Sequence, residues 1–182
     1  MPKVHLSFSS PALQRRCRGF AAALSFVLGE ELKSLREHPR YAKWQSWGDA
    51  RPASLGLLIC GDEEIRTYNR DYRKMDKATD VLSFPAHEAS AEPAPGMEGY
   101  LGDLIISLET VERAAVRVKR PLTDEFVEVF VHGVLHLLGF DHLVGKGVTK
   151  RDAVEMKSLQ AELFKKLRAP IKKRYGSFVQ KR

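Results

Sequence analysis

The spacing of apolar and polar residues predicts four short β-strands along this chain of 182 residues. Val4, Leu6 and Phe8 alternate with polar residues, as expected of a strand with one buried face. Three further apolar runs are short and are bounded by glycine, proline or other turn residues, which is typical of buried strands. The predicted strands comprise residues 4–8, 55–60, 80–84 and 104–107.

Apolar residues that recur every three or four positions predict five helices. The fourth of these is apolar nearly all round, which indicates a helix buried at the centre of the domain. Asp62 and Thr123 are predicted to cap the second and fourth helices, and Val118 is predicted to face inward from the third. The predicted helices are 11–36, a short helix that follows Asp62, 108–119, 123–138 and 150–167.

Together these elements predict an α+β fold with a single domain at residues 1–167, in which helices pack around a small mixed sheet of about four strands. Residues 168–182 are predicted to form a basic C-terminal tail. The formal net charge is +7, and residues 165–182 hold eight basic and no acidic residues. Such a tail is either a solvated chain end or an electrostatic contact for nucleic acid, and the composition leaves both open.

Composition places the chain among ordinary globular proteins, with 43% hydrophobic and 29% charged residues. No apolar run approaches the roughly 20 residues that cross a bilayer, so no membrane partner is predicted. Cys17 and Cys60 are the two cysteines, and they form neither a disulfide framework nor a CxxC pair. This usage favours a reducing, cytoplasmic location.

Three of the six histidines lie within eleven residues and predict a metal site. His132 and His136 are four residues apart on the buried helix, so their rings lie on one helical face. Gly139 stands where a glycine ends a helix, and the turn it allows brings His142 back toward the other two. Three imidazoles with one open position are typical of a catalytic zinc site.

The spacing H-x-x-x-H-x-x-G-x-x-H is also that of the metzincin proteases. Those enzymes carry a glutamate directly after the first histidine as their general base, and here that position is Gly133. The sequence therefore predicts the metal ligands but no peptidase activity. Basic residues gather before the third strand at Arg66, Arg70, Arg73, Lys74 and Lys77, where a guanidinium is suited to binding a phosphate.

The segment HGVLHLLGFDH at 132–142 resembles the signature of the YbeY family, the endoribonucleases that mature ribosomal RNA. Phe140 stands where that signature usually has tyrosine. Three further segments are also similar to this family: YNRDYRKMDKATDVLSFP at 68–85, LGDLIIS at 101–107 and EMKSLQAEL in the last helix.

The resemblance implies one zinc ion held by His132, His136 and His142 at the base of a cleft beside the sheet. It also implies a functionally important arginine, which falls on Arg73. The activity so implied is cleavage of single-stranded RNA, with roles in processing the 3′ end of small-subunit rRNA and in ribosome quality control. The implied partners are rRNA and the ribosome or its small subunit.

Several roles follow as hypotheses. Arg73 neutralises the scissile phosphate, and the nucleophile is either a metal-activated water or an RNA 2′-hydroxyl. Asp141 either orients a histidine or is an ordinary turn carboxylate, and Asp103 is a weaker candidate for the orienting role. Two alternatives remain for the whole chain: a metal-dependent hydrolase of another substrate, and a non-catalytic ribosome assembly factor with a structural metal.

Overall fold

The computed structural model describes residues 2–17, 19–35, 37–38, 53–86, 99–142 and 148–176. Its four strands form one mixed sheet in the order β1-β2-β4-β3. β1 and β4 each lie parallel to β2, whereas β3 runs antiparallel to β4. The predicted α+β fold with a small mixed sheet is confirmed. The strands are β1 Lys3–Phe8, β2 Ser54–Cys60, β3 Val81–Pro85 and β4 Tyr100–Ser107, so β4 begins four residues before its predicted start.

Six helices are present among the described residues: α1 Pro11–Arg16, α2 Phe20–Ser34, α3 Asp62–Arg73, α4 Leu108–Arg117, α5 Leu122–Leu137 and α6 Lys150–Tyr175. The prediction of a single helix at 11–36 was wrong, because the helix is interrupted between α1 and α2. Gly19 has a φ of +83°, a left-handed conformation that a helix cannot continue through. The break allows Phe20 to start a new helix whose buried face packs into the core.

α5 is the central helix, as predicted, and it lies across one face of the sheet. Phe126 and Phe130 on this helix are fully buried, and each stabilises the fold by about 1.5–3 kcal/mol relative to an exposed ring. The helix approaches the sheet closely at Gly133. A Cβ at this position would lie 2.9 Å from Leu104 Cδ2 and 3.3 Å from Val81 Cγ2. Glycine therefore sets the distance between the metal-site helix and the sheet.

Both predicted caps were wrong, Asp62 by one position and Thr123 by two. α3 is capped by Gly61, and α5 by Pro121. Asp62 is the first helical residue instead, and its Oδ1 accepts hydrogen bonds from Ser107 Oγ (2.6 Å) and Thr110 Oγ1 (2.7 Å). This carboxylate thus fastens the start of α3 to the start of α4, a long-range contact that competes successfully with local capping.

The described residues cover the other face of the sheet only in part. α3 lies on it and buries a small second core of Cys60, Ile65, Leu82 and Ile105. Val118 was predicted to face inward, but it follows the end of α4 and is 47% exposed.

α6 begins with a capping box between Thr149 and Asp152 and continues to Tyr175, beyond the predicted end at residue 167. Its last turns are fixed by packing, since Ile171 is only 2% exposed and Arg168 Nε lies 2.6 Å from Asp124 Oδ2. The segment 168–182, predicted as a basic tail, therefore begins inside this helix. None of the described helices is long and apolar enough to cross a membrane.

Candidate metal centre

The structure brings the three predicted histidines together. The ring centroids of His132 and His136 are 4.7 Å apart. The centroid of the His142 ring lies 5.0 Å from that of His132 and 5.2 Å from that of His136. One nitrogen from each ring can be chosen so that all three lie within 4.8 Å of one another. His132 Nε2 and His136 Nε2 are 3.2 Å apart. Three nitrogen atoms therefore converge on one point, as a shared cation requires.

The chain reverses between His136 and His142 through a Schellman motif. Phe140 N donates to the carbonyl of Leu135 (3.0 Å), and Gly139 N donates to that of His136 (3.0 Å). Gly139 occupies the left-handed conformation at the centre of the motif, with a φ of +82°. Phe140 anchors the turn in the core, where it is 2% exposed and packs against the ring of His38. The turn thus presents His142 to the helix that carries the first two ligands.

Two of the three imidazoles have lowered pKa values. Burial, followed by the neighbouring His132, lowers the pKa of His136 from 6.5 to about 4. Burial and His132 also lower the pKa of His142 below its ordinary value. A neutral imidazole has the free lone pair that a metal ion needs, so these two rings are ready ligands at neutral pH.

Gln160 on α6 fixes which nitrogen of His132 faces the site. The Oε1 of Gln160 lies 2.8 Å from His132 Nδ1, and its Nε2 lies 3.5 Å from Glu128 Oε1. Because the carboxylate of Glu128 only accepts hydrogen bonds, the amide nitrogen faces it and the amide oxygen faces the ring. His132 Nδ1 therefore carries the proton and donates it to Gln160, and the lone pair lies on Nε2.

These residues fit a divalent metal ion. Three imidazole nitrogens converge, two rings have lowered pKa values, and the third is held in the ligating tautomer by a neighbouring side chain. Neutral nitrogen ligands suit zinc, although copper, iron and nickel also accept them. A three-histidine set leaves one coordination position for water or substrate, which is the composition of catalytic rather than structural zinc sites.

Gly133 occupies the position at which a metzincin carries its general base. Its backbone packs against Leu104 and Val81 of the sheet, so a side chain at this position would meet the sheet rather than the histidines. The absence of a glutamate here is thus built into the packing of α5, and it removes the general base on which the peptidase chemistry depends.

Arg73, the other predicted site residue, ends α3 and contacts β3. Its Nη2 donates to the carbonyl of Ser83 (3.0 Å), and the hydroxyl of Ser83 donates to the carbonyl of Gly133 (3.3 Å), next to His132. Two earlier arginines of the same helix are neutralised by carboxylates: Arg66 by Asp76 at 2.7 Å and Arg70 by Asp71 at 3.0 Å. Within the described part of the chain, no such carboxylate partner is found for Arg73.

The two candidate orienting carboxylates lie in different parts of the structure. Asp141 Oδ1 lies 3.9 Å from His142 Nδ1, too far for a hydrogen bond. Asp103 is on the other side of the sheet: Leu104 faces Gly133 of α5, and successive residues of a strand alternate between faces. The carboxylate of Asp103 instead accepts a hydrogen bond from the hydroxyl of Tyr100 (2.6 Å).

Gln160 was not singled out from the sequence, although a signal was present. Ala153, Met156, Leu163 and Leu167 form the buried stripe of α6. Position 160 is four residues after Met156 and three before Leu163, so a polar residue there faces inward by helical periodicity. An inward glutamine in a helix that follows three candidate ligands is a candidate partner for one of them.

Fold and site together define a class of protein: a single-domain α+β protein in which two histidines of the central buried helix and one of the turn after it form a cluster that could hold a metal ion. The family model described as Endoribonuclease YbeY matches residues 28–168. The chain therefore belongs to the YbeY family.

Two relatives are both named Endoribonuclease YbeY. The chain is 40% identical to the Endoribonuclease YbeY of Allorhizobium ampelinum over 112 residues. This match covers 62% of this chain and 63% of that protein. The chain is 45% identical to that of Syntrophotalea carbinolica, over 64% of this chain and 74% of that protein. The first match thus spans less than two thirds of the relative's length. The solution structure of TM1509 from Thermotoga maritima has a TM-score of 0.47 and 23% identity, over 92% of this chain and 93% of that one.

Proposed function

We propose that this protein is a zinc-dependent endoribonuclease that cleaves single-stranded RNA. The observation that carries the proposal is the convergence of His132, His136 and His142 in a chain of the YbeY family. Relatives are named endoribonucleases. The proposed role in the cell is maturation of rRNA, including the 3′ end of the small-subunit rRNA, and ribosome quality control. The proposed partners are rRNA and the small ribosomal subunit, and the proposed location is the cytoplasm.

The three histidines would hold one ion, which when bound supplies a Lewis acid and an acidified water at neutral pH. Gln160 holds the Nδ1 proton of His132 and so keeps Nε2 available for the ion. Gly133 offers no proton acceptor, so the chemistry must proceed without a carboxylate at that position. An RNA phosphodiester suits this arrangement because the negative charge on its phosphate in the transition state is stabilised by cations.

Arg73 is the proposed phosphate-binding residue. Its guanidinium is anchored at one nitrogen by the neutral carbonyl of Ser83, which leaves its charge uncompensated by that contact. A guanidinium binds two phosphate oxygens through parallel hydrogen bonds, a geometry that lysine does not reproduce. Because Ser83 also contacts α5 beside His132, the arginine is tied to the element that holds the metal ligands.

The C-terminal segment 168–182 is proposed to add a contact that does not depend on RNA sequence. Lys172 and Lys173 are exposed in the last turns of α6. Replacing both with glutamine is expected to reduce the dependence of RNA affinity on salt by about one unit of log–log slope per lysine that contacts phosphate. An unchanged slope would assign the segment to a solvated chain end.

The test is cleavage of a labelled single-stranded RNA and of the matching duplex by purified protein. His136→Ala and Arg73→Ala are prepared identically, with Arg70→Ala as the matched control, since Arg70 lies on the same helix and pairs with Asp71. We expect cleavage of the single strand by the wild type and by Arg70→Ala, and its loss in the other two variants or with a chelator.

Equal cleavage by wild type and His136→Ala would contradict the proposal. If no protein cleaves free RNA, and His136→Ala still supports ribosome maturation in cells, a non-catalytic assembly factor would be the better interpretation. Digestion of a protein substrate by the wild type would instead favour a hydrolase with another substrate.

A further inference from the structure

A groove lies on the face of the sheet opposite α5, beside α3. Its volume is about 410 Å³, within the range of small-molecule sites. Leu58 and Ile105 supply an apolar floor, and all four strands contribute to the walls. The lining residues include Gly56, Tyr68, Tyr72, Phe84 and Asp103.

One wall of the groove is aromatic. The rings of Tyr68 and Tyr72 are 6.3 Å apart and nearly parallel, with an angle of 20° between their planes. Tyr72 also meets Phe84 edge to face at 5.2 Å. Tyr72 is 65% exposed, so core packing does not explain a large ring at this position. An exposed ring at the mouth of an apolar groove is a surface on which a planar ring can stack.

The part of the groove next to Phe84 is polar. Asp103 is the register partner of Phe84, and its carboxylate accepts a hydrogen bond from Tyr100. Gly56 makes room for this carboxylate, because a Cβ there would lie 2.1 Å from Asp103 Oδ1. A carboxylate has about four acceptor sites, of which the tyrosine uses one. The groove thus combines a flat apolar slot with an acceptor-only group.

A cation lies beside the aromatic wall. Arg73 follows Tyr72 in α3, and its guanidinium donates to the carbonyl of Ser83, which precedes Phe84 in β3. Arg73 is therefore next to Tyr72 in α3 and, through its hydrogen bond to Ser83, close to Phe84 in β3. Aromatic rings beside a cation are the combination with which proteins bind single-stranded nucleic acid.

We propose that this groove binds one base of the RNA, stacked on Tyr72 and held at its edge by Asp103. The preferred base is guanine, because its adjacent N1–H and N2–H groups can donate together to one carboxylate, whereas uracil offers a single N–H. The inference rests on the proposed action on RNA and adds to it a base preference next to the phosphate bound by Arg73.

Binding of the four nucleoside monophosphates tests the groove without any need for catalysis. GMP, AMP, CMP and UMP are titrated into the full chain, and binding is followed by NMR shifts of the groove residues. We expect GMP to bind most tightly. Tyr72→Ala should weaken GMP binding about tenfold through the loss of stacking, and Asp103→Asn should abolish the preference for GMP over UMP.

Val116→Ala is the control, since Val116 lies on α4 and is 75% exposed; it should change nothing. Tyr72 is exposed, so its variant is expected to remain folded, and circular dichroism verifies this. Equal binding of the four nucleotides, unaffected by Tyr72→Ala, would overturn the proposal. So would variants that bind nucleotides normally but no longer associate with the small ribosomal subunit, since the groove would then serve a contact other than base binding.

The outcomes separate this inference from the proposed function. Nucleotide binding with the expected preference in a protein that cleaves no RNA would support the groove and contradict the nuclease proposal. RNA cleavage that depends on His136 but is indifferent to Tyr72→Ala, together with no GMP binding, would leave the nuclease proposal standing and refute the groove.

Discussion

Replacing Gln160 with alanine tests whether the hydrogen bond to His132 prepares the metal site. The substitution removes the acceptor that lies 2.8 Å from Nδ1 of His132. The ring can then rotate or take the other tautomer, in which Nε2 carries the proton and cannot bind a metal. Partners of this kind typically contribute 10–100-fold to metal affinity, which corresponds to about 1.4–2.8 kcal/mol.

The same magnitude follows from the contact itself. A neutral hydrogen bond contributes about 1 kcal/mol net, and leaving a partly buried donor unpaired costs about 1–3 kcal/mol. The contact between Gln160 Nε2 and Glu128 is long at 3.5 Å, and Glu128 keeps its ion pair with Arg120. The loss should therefore fall on His132 rather than on the wider network.

Zinc affinity is measured by competition with a chromophoric chelator, and independently by the stabilisation that zinc confers on thermal unfolding. Glu162→Ala is the matched control, because Glu162 is exposed on the same helix two residues away. Gln160→Glu keeps an acceptor and should restore much of the affinity, less the repulsion of Glu128. Equal zinc affinity in wild type and Gln160→Ala would refute the argument that this amide orients the ligand.

Three further predictions concern stability, each measured by urea unfolding. Gly133→Ala should destabilise the fold, because the overlap with buried Leu104 costs about 1–3 kcal/mol and outweighs a gain in helix propensity of about 1 kcal/mol. Glu31 is fully buried, and neither of its carboxylate oxygens is hydrogen-bonded among the described residues. Glu31→Gln should therefore stabilise the fold by about 1–3 kcal/mol at pH 7. Glu30→Gln at the surface is the control and should have little effect. Asp62→Ala should cost about 2 kcal/mol, since one contact of α3 with the end of β4 and two with α4 are lost.

The effect of Glu31 has a definite pH dependence. Burial raises the pKa of this carboxyl well above 4.5, so the folded state favours the protonated form. Stability is therefore lost as the pH rises above the unfolded value near 4.5, and the advantage of Glu31→Gln should shrink toward pH 4. A constant advantage of Glu31→Gln at all pH values would contradict this account. Greater stability of Gly133→Ala, or unchanged stability of Asp62→Ala, would contradict the predictions for those two variants.

Local patterns sufficed where the structure depends on residues near one another in the chain. The pairing of His132 with His136 follows from helical periodicity, and the return of His142 follows from a turn at Gly139 that spans six residues. The buried character of α5 and the four strands likewise follow from apolar spacing. In each case the physical cause acts over a few residues, so the sequence alone was enough to predict three converging ligands.

Features that depend on distant residues required the folded chain. Gln160 meets His132 only because α6 packs against α5, and Asp62 leaves its capping role because Ser107 and Thr110 offer better partners 45 and 48 residues away. Asp103 faces the groove rather than the histidines because packing of Leu104 against Gly133 decides which face of β4 meets α5. The sequence determined which residues could bind a metal. Tertiary packing decided which side chains orient them and which line the second site, because the free energy of packing distant elements together exceeds any local preference.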